Sequence, residues 1–224
     1  YDRPRKRRLL SDDFSDGDFT RKPKWSVASG RFAVSRRRDL TSIVKPDQGG
    51  ETRQGKVKAE DLADAVLSKM LGAKSSGQSS DTSRDAGGRA EIFLPRRIDN
   101  AFAMIVEISL RPHSICELGV YNGAARQAGY RLAIVADDPL SLYRQGKRGS
   151  SLIQSSRRAP GAGDDAIHKL VWTRRQNGEM VVEFDGKVLL KTKDRAFTRA
   201  FDGIYHGNRV GECRLRSISV DGAS

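Results

Sequence analysis

The chain has 224 residues, 37% hydrophobic and 31% charged, with a formal net charge of +13 and a sequence pI of about 10.1. This length suits one sizeable domain, and the surplus of Lys and Arg predicts attraction to polyanions such as nucleic acid, anionic lipid or acidic polysaccharide. No apolar run reaches 18 residues, so the sequence predicts no membrane-spanning helix.

The N-terminus is strongly basic, with five Lys or Arg among the first eight residues. Residues 1–10 are predicted to form a solvated arm, although such a run also suits phosphate contacts or a nuclear address. Because the first residue is Tyr rather than Met, we expect a processed secretory product or a piece of a longer protein. We therefore expect a secreted or periplasmic protein, with the cytoplasm and nucleus as alternatives.

An aspartate-rich stretch follows the arm. It has four carboxylates within seven residues, at Asp12, Asp13, Asp16 and Asp18. Oxygen-rich loops bind calcium, although the spacing is not that of an EF-hand. The alternative is a set of Asx turns around Ser15-Asp16-Gly17, in which each carboxylate accepts a hydrogen bond from a nearby backbone N–H group. A structural calcium ion is the only cofactor that the sequence predicts.

Residues 24–35, KWSVASGRFAVS, alternate between apolar and polar side chains. They predict two short strands joined at Ser29-Gly30. The apolar members are expected to face inward: Trp25, Val27, Phe32 and Val34.

Residues 45–90 differ in composition and are predicted to be an insertion. Leu62, Val66 and Met70 recur at four-residue spacing, which predicts an amphipathic helix at about 58–71. The segment 73–89 is rich in Ser, Gly and Asp and is expected to be flexible. The helix either packs on its own domain or docks on a partner.

From residue 90 onwards the β-strand pattern is dense, and one stretch is clearest. Residues 168–190 carry two hairpin dipeptides, Asn177-Gly178 and Asp185-Gly186, each predicted to form a type I′ turn. The result is a three-stranded meander with one apolar side, made of Leu170, Trp172, Met180, Val182, Phe184, Val188 and Leu190. Another hairpin is predicted around Asn122-Gly123, outside the meander. In total, ten to twelve short strands predict an all-β antiparallel sandwich over residues 11–224.

Three stretches resemble concanavalin A-like (laminin G-like) jelly rolls: residues 11–35, residues 168–190 and the closing GECRLRSISVDG at 211–222. The resemblance implies two antiparallel sheets packed face to face, with a concave outer face that binds or cleaves glycans in many members. It also implies that a structural calcium ion can lie between the first and last strands, with Asp221 as an additional ligand. Fold alone does not assign a function.

Paired carboxylates within the meander raise the question of catalysis. Laminarinase-type members carry E-x-D-x-E on one strand, which places nucleophile and acid about 5–5.5 Å apart. This chain has Glu183 and Asp185 but then Gly186-Lys187, and Asp185-Gly186 is itself a favoured turn. We therefore predict a strand end and a turn, with no catalytic residue. The ligand candidates on this side are Thr173, Arg175 and Glu183.

Residues 204–213, IYHGNRVGEC, are predicted to form a loop between the last two strands. Its side chains suit stacking on a sugar and hydrogen bonding to it, which makes candidates of Tyr205, His206, Asn208 and Arg209. The alternative is a loop tip without a ligand. The histidines His113, His168 and His206 have no Ser or Cys partner in sequence and are predicted to be strand-end or surface residues.

The two cysteines, Cys116 and Cys213, either form one disulfide in an oxidising compartment or are small buried strand residues. The basic clusters lack interleaved aromatic residues, which disfavours RNA recognition. The favoured hypothesis is a non-catalytic module that binds a glycan or acidic polymer. The alternatives are a glycoside hydrolase of the same fold and a polyanion- or protein-binding domain that uses the basic surface and the helix.

Overall fold

The computed structural model describes residues 6–45 and 89–223, whose regular secondary structure consists of fourteen β-strands. They are β1 (Lys6–Asp12), β2 (Ser26–Ser29), β3 (Ala33–Val34), β4 (Leu40–Val44), β5 (Ala90–Ile98), β6 (Phe102–Leu110), β7 (Ile115–Asn122), β8 (Ala128–Val135), β9 (Ser141–Gly146), β10 (Gly149–Ser155), β11 (His168–Arg174), β12 (Glu179–Phe184), β13 (Lys187–Lys193) and β14 (Phe201–Ala223). Within these ranges, no helix has the length and apolar character needed to cross a membrane.

The strands form two antiparallel sheets that share β14. Sheet A has the order β13-β12-β11-β6-β14, and the other edge of β14 pairs with β1 and β4, to which β3 adds. Sheet B has the order β10-β9-β8-β7-β14-β5-β2. The predicted all-β antiparallel sandwich is confirmed.

Strand β14 runs through both sheets without a break. Its first part pairs with β5 and β7 in sheet B, and from Gly211 onwards it pairs with β4 and β6 in sheet A. Gly211 has a φ of +79°, and a Cβ there would overlap Ser114, so the crossover requires glycine. The side-chain amide of Asn208 donates to the carbonyl oxygens of Ser42 (2.9 Å) and Gly211 (3.0 Å), which fixes the crossover. The predicted loop between two final strands is therefore wrong.

One apolar core lies between the sheets, and the meander contributes a large part of it. Met180, Val182 and Phe184 are buried, as are Leu170 and Trp172 on the neighbouring strand β11, which confirms their predicted orientation. Alternation along a strand places every second side chain on the same face.

Val188 departs from that alternation, because its side chain is 59% exposed. A register shift between β12 and β13 pairs Val182 with Leu190 but the adjacent Glu183 with Val188. The extra residue in β13 turns Val188 outward, so its predicted inward orientation is wrong.

The N-terminal prediction needs correction for residues 6–10, which belong to β1 rather than to a solvated arm. This strand pairs with the end of β14, and both Leu9 and Leu10 are buried against the core. Arg8 also forms an ion pair with Asp221. Two apolar side chains in a basic segment are thus sufficient to anchor it in the sandwich.

The segment KWSVASGRFAVS contains two strands as predicted, but they do not pair with each other. Strand β2 pairs with β5 in sheet B, whereas β3 pairs with β4 in sheet A. Trp25 is buried, Phe32 and Val34 are half-buried against the core, and Val27 is exposed, which corrects its predicted orientation.

The predicted helix at 58–71 lies outside the described residues. So do residues 1–5 and nearly all of the predicted insertion at 45–90, including its segment 73–88.

Cys116 in sheet B and Cys213 in sheet A form a disulfide with a Cα–Cα distance of 6.0 Å. The bridge joins the two layers across the core and closes a loop between residues 97 positions apart in the chain. Such long loops are where a crosslink most restricts the unfolded chain.

The two predicted hairpin turns of the meander differ. Asp185 and Gly186 both have positive φ, +48° and +76°, which confirms the type I′ turn. At the other turn only Gly178 has positive φ, and Arg175 bonds through its backbone to both Gly178 and Glu179. This turn is wider, with Gly178 in the left-handed position, so the type I′ prediction is wrong there.

Candidate functional site

The ligand candidates predicted from the sequence are divided among three places. Thr173 and Glu183 lie on the outer face of sheet A, and Arg175 lies in the turn beside them. Tyr205 and Arg209 lie on the outer face of sheet B. The structure does not bring these two groups together, because they lie on the outer faces of different sheets.

His206 and Asn208 alternate with Tyr205 along β14 and therefore point into the sandwich, where both are fully buried. Burial lowers the pKa of His206 to about 4, and its Nδ1 lies 3.1 Å from the carbonyl oxygen of Glu117. Asn208 holds the crossover of β14. Their predicted placement on a ligand-binding loop is thus corrected to a structural place in the interior.

The carboxylate of Asp185 is engaged in contacts that stabilise the hairpin turn at Asp185-Gly186. It accepts a hydrogen bond from the backbone N–H of Lys169 (2.9 Å) and contacts His168 Nδ1 (2.7 Å), and His168 Nε2 contacts Asp164 (2.8 Å). Partial burial acts to raise the pKa of Asp185, but the bonds from His168 and Lys169 outweigh it and lower the pKa. The interpretation of Asp185 as a turn residue is confirmed.

The aspartate-rich stretch forms successive local turns. Asp12, Asp13, Asp16 and Asp18 each accept a hydrogen bond from the backbone N–H group two residues ahead. Asp12 also accepts from the indole N–H of Trp25 (2.8 Å), and Asp221 pairs with Arg8. No group of three metal-ligating side chains suited to a metal ion occurs in residues 6–45 and 89–223. The calcium site stays a prediction.

Two tyrosines lie at the centre of the outer face of sheet B. Tyr205 on β14 pairs in register with Gly119 on β7, and Tyr121 on β7 pairs with Gly203 on β14. A Cβ at either glycine would overlap the facing tyrosine ring. Each ring therefore lies across the neighbouring strand, and the two glycines make room for a pair of flat aromatic side chains at the centre of the face.

Two carboxylates flank a third glycine on this face. Gly207 of β14 pairs with Glu91 of β5 on one side and with Glu117 of β7 on the other. A Cβ at Gly207 would lie 3.2 Å from Glu117 Oε2, so the carboxylate extends over the glycine.

Each of these carboxylates lies between two guanidinium groups. Glu117 pairs with Arg131 (3.4 Å) and Arg209 (3.0 Å), and all three side chains are at most 10% exposed. Glu91 pairs with Arg89 and with Arg126. Four arginines thus surround two glutamates, which leaves this surface with a surplus of positive charge.

Aromatic rings extend the charged cluster towards solvent. The Arg126 guanidinium lies 3.9 Å from the centre of the Phe93 ring, which meets Tyr121 edge to face. Arg131 lies 4.6 Å from the centre of the Tyr143 ring. Phe93, Tyr143 and Gln145 are half-buried, whereas Tyr205 is buried and donates a hydrogen bond to Gln145 Oε1 (3.3 Å). Burial raises the pKa of the Tyr205 hydroxyl, so that it remains a donor.

We call this surface the Arg-aromatic face, defined by Arg89, Glu91, Phe93, Glu117, Tyr121, Arg126, Arg131, Tyr143, Gln145, Tyr205 and Arg209. Its half-buried rings and amide can stack on a ligand ring and bond to its hydroxyl groups, and its guanidinium groups can bind acidic oxygens. Sequence reasoning found only Tyr205 and Arg209. The sequence did contain one signal for this face, because Glu117, Gly119 and Tyr121 alternate along β7 and therefore point to the same side.

This face also differs from the three-carboxylate strand of laminarinase-type enzymes. On β7 the outward positions are Ile115, Glu117, Gly119 and Tyr121, so the strand supplies one carboxylate. That carboxylate already forms two ion pairs.

No known family model and no curated protein matches the sequence. Solved structures match the fold. A protein of unknown function with a galectin-like fold from Bacillus subtilis has a TM-score of 0.61 at 10% identity, covering 99% of this chain and 100% of that one. A native glycosidic hydrolase has a TM-score of 0.59 at 9% identity, with both chains fully covered.

The carbohydrate-binding module CBM66 from Bacillus subtilis has a TM-score of 0.56 at 10% identity, covering 85% of this chain and 91% of that one. At these identities the likeness is one of architecture. The chain therefore has the jelly-roll fold of galectin-like and concanavalin A-like proteins, as its sequence predicted.

Proposed function

We propose that the chain is a non-catalytic glycan-binding module whose binding surface is the Arg-aromatic face. The observation that carries the proposal is the combination on one sheet of half-buried aromatic rings, Phe93 and Tyr143, with four arginines around two glutamates. Aromatic faces pack on the apolar faces of sugars, and arginine forks match carboxylate and sulfate groups. The fold neighbours, which include a carbohydrate-binding module, support the same class of ligand.

The surplus of positive charge favours acidic glycans over neutral ones. Arg126 is partly exposed, with 23% of its side chain accessible, and its contacts with Glu91 and Phe93 hold its guanidinium in a fixed orientation. A preorganised cation loses less conformational freedom when it binds an anion. We infer that binding weakens as salt concentration rises.

The absence of catalysis is part of the proposal. Glycosidases of the paired-carboxylate type need one carboxylic acid to donate a proton and one carboxylate to act as nucleophile or base. Glu91 and Glu117 are both engaged by two arginines, which favours a role in orienting the arginines over direct reaction with substrate. A secretory or periplasmic location is also proposed, supported by the Cys116–Cys213 bridge, since disulfides persist in oxidising compartments.

A glycan array tests this function with matched variants of the two faces. Phe93→Ala and Tyr143→Ala are expected to weaken glycan binding at least about tenfold. Each removes a ring on which a sugar can stack and on which an arginine, Arg126 or Arg131, is held in place. Thr173→Ala and Arg175→Ala are the controls on sheet A and should bind as the wild type does. The opposite pattern would move the site to the sheet A candidates, which include Glu183. Hydrolysis of any bound glycan, lost on Glu117→Gln or Glu183→Gln, would refute the non-catalytic role.

A second candidate, polyanion binding, is favoured by one further observation. Four arginines, Arg7, Arg8, Arg96 and Arg97, line an open cleft of about 320 Å³ between β1 and β5. Two of them pair with Asp99 and Asp221, and Arg96 donates to the carbonyl oxygen of Leu9. Steeply salt-dependent binding to a nucleic acid or sulfated polymer, lost on Arg96→Ala with Arg97→Ala, would select this function.

A further inference from the structure

A cavity of about 230 Å³ lies on the outer side of sheet A, away from the Arg-aromatic face. Residues 165–167 cover it, because the backbone N–H of Asp165 donates to the carbonyl oxygen of Leu110 (3.1 Å) and the hydroxyl of Ser109 donates to the carbonyl oxygen of Asp165 (3.0 Å). Its polar lining consists of Arg37, Asp39, Ser109, Asp165, Arg214 and Arg216.

Asp39 is the unusual member of this lining. The residue is only 5% exposed, and its Oδ1 has no hydrogen-bond partner among the described residues. Its backbone is fully used, since its carbonyl oxygen accepts from Ser35 N (2.9 Å) and its N–H donates to Ser35 Oγ (3.3 Å). A buried carboxylate oxygen without a donor destabilises a protein unless something in the cavity donates to it.

Guanidinium groups face the same space. Three arginines and two aspartates line the cavity, so the lining carries a net charge of +1. Arg214 pairs with Asp165 and with Glu212 (3.2 Å), whereas Arg37 and Arg216 extend from exposed positions at the rim. Burial and the nearby Arg111 lower the pKa of Arg214, against the opposing effect of Asp39. An anionic group in the cavity would therefore be stabilised.

These requirements define the ligand. An inorganic anion would satisfy the arginines but leave the Asp39 carboxylate without a donor, and a metal cation would meet three positive charges. A neutral polyol would satisfy Asp39 but leave the net charge uncompensated. A molecule with both a hydroxyl group and a carboxylate satisfies both sides of the cavity.

We propose that this cavity binds a hydroxy acid of about one sugar unit, with a hydroxyl group donating to the Asp39 carboxylate and the ligand carboxylate accepting from Arg37 and Arg216. A uronic acid residue of an acidic glycan and a free hydroxy acid share this chemistry. The site lies on the opposite sheet from the proposed glycan-binding face and does not depend on it.

Titration calorimetry with sodium D-glucuronate tests the proposal on the full chain, with D-glucose and sodium acetate as matched ligands. Glucuronate should bind more tightly than either. Arg216→Ala should weaken glucuronate binding about tenfold, since it removes a charged hydrogen-bond donor. Arg157→Ala, at an exposed position outside the cavity, makes the same change of charge and should have no effect.

Asp39→Ala separates the hydroxyl contact from the charge contact. It removes the acceptor and also a negative charge, so glucuronate should lose its preference over acetate while acetate binds no more weakly than before. A uronate-containing oligosaccharide that binds more tightly than glucuronate identifies a glycan as the source, and preference for the monomer identifies a free hydroxy acid.

Absence of glucuronate binding would overturn the proposal, as would equal binding by the wild type, Arg216→Ala and Asp39→Ala. Phe93→Ala distinguishes this cavity from the Arg-aromatic face as the site of glucuronate binding. It should leave glucuronate binding unchanged, and loss of that binding in Phe93→Ala would assign the ligand to the other sheet.

Discussion

The two outer faces of the sandwich both carry glutamates and arginines, but they place them in different environments. On sheet A, Glu179 pairs with Arg175 and Lys191, whose side chains are 72% and 69% exposed. On sheet B, the partners of Glu117 are almost completely buried. Exposed pairs are screened by water and contribute little to stability, whereas buried pairs depend on every partner being present.

The difference originates in the small residues of sheet B. Gly119, Gly203 and Gly207 leave space above β7 and β14, and the side chains of Tyr205, Tyr121 and Glu117 fill it. The corresponding outward positions at the centre of sheet A carry Val171, Val181 and Ile105 and no glycine. Glycine spacing therefore determines which face can hold a desolvated polar cluster.

The largest expected effect follows from removing a buried carboxylate. Glu117→Ala would remove the buried carboxylate that Arg131 and Arg209 share, and should lower the free energy of unfolding by about 3–5 kcal/mol. Glu183→Ala, on the outer face of sheet A, should change it by less than about 0.5 kcal/mol. Urea denaturation followed by circular dichroism measures both. Equal losses for the two variants would remove the distinction between the faces.

A smaller effect is expected from filling one of the glycine gaps. Gly119→Ala should cost about 1–3 kcal/mol, because the new methyl group overlaps the Tyr205 ring and forces it to move. In a Tyr205→Ala background only the close contact with the backbone carbonyl oxygen of Tyr130 (2.8 Å) remains, so the same change should cost less, which a double-mutant cycle reveals. Gly146→Ala is the matched control, since no atom lies within 4 Å of the position where its Cβ would stand. A cost at Gly119 that is independent of Tyr205 would show that the glycine serves some other purpose.

The sequence was sufficient to predict the sandwich, because alternation is a local property. The buried side chains Met180, Val182 and Phe184 and the turn at Asp185-Gly186 follow from neighbouring residues alone. The bulge that turns Val188 outward depends on how β12 and β13 pair, and no local pattern encodes it.

The candidate site was mostly beyond prediction, because strands distant in sequence assemble it. Glu91, Glu117 and Gly207 are adjacent only once β5, β7 and β14 are paired in register. From the sequence, the glycines of β14 indicated a loop between two strands. In the structure, Gly207 makes room for a carboxylate, and Gly211 takes a positive φ at the crossover between the sheets. Glycine marks both turns and close packing, and the sequence does not distinguish them.

Arg174 shows a related limit. Its position alternates with Trp172, so it points inward, and its guanidinium donates to the carbonyl oxygens of Asn100 (2.9 Å) and Phe197 (2.9 Å). A buried guanidinium group needs acceptors for its N–H donors, and here carbonyl oxygens of residues distant in sequence accept from both of its terminal nitrogens.

The smallest expected effect concerns a cluster of intermediate exposure at the end of sheet A, where His168 lies between Asp164 and Asp185 and stacks on Phe184. Although burial opposes it, hydrogen bonds to both aspartates raise the pKa of His168 above its usual 6.5. The bond from His168 lowers the pKa of Asp164 below its usual 3.8, and the pKa of Asp185 is also lowered.

The signs of these shifts define a pH window. The contribution of His168 is complete below pH 6.5 and is lost as pH rises through its raised pKa, whereas the aspartate contributions are lost as pH falls below about 3.8. The Tm difference between the wild type and His168→Gln should therefore be largest near pH 5 to 6 and narrow towards pH 8. Thermal unfolding at a series of pH values checks this. A difference that stays constant up to pH 8 would mean that His168 acts through its stacking on Phe184 and that its charge does not contribute to stability.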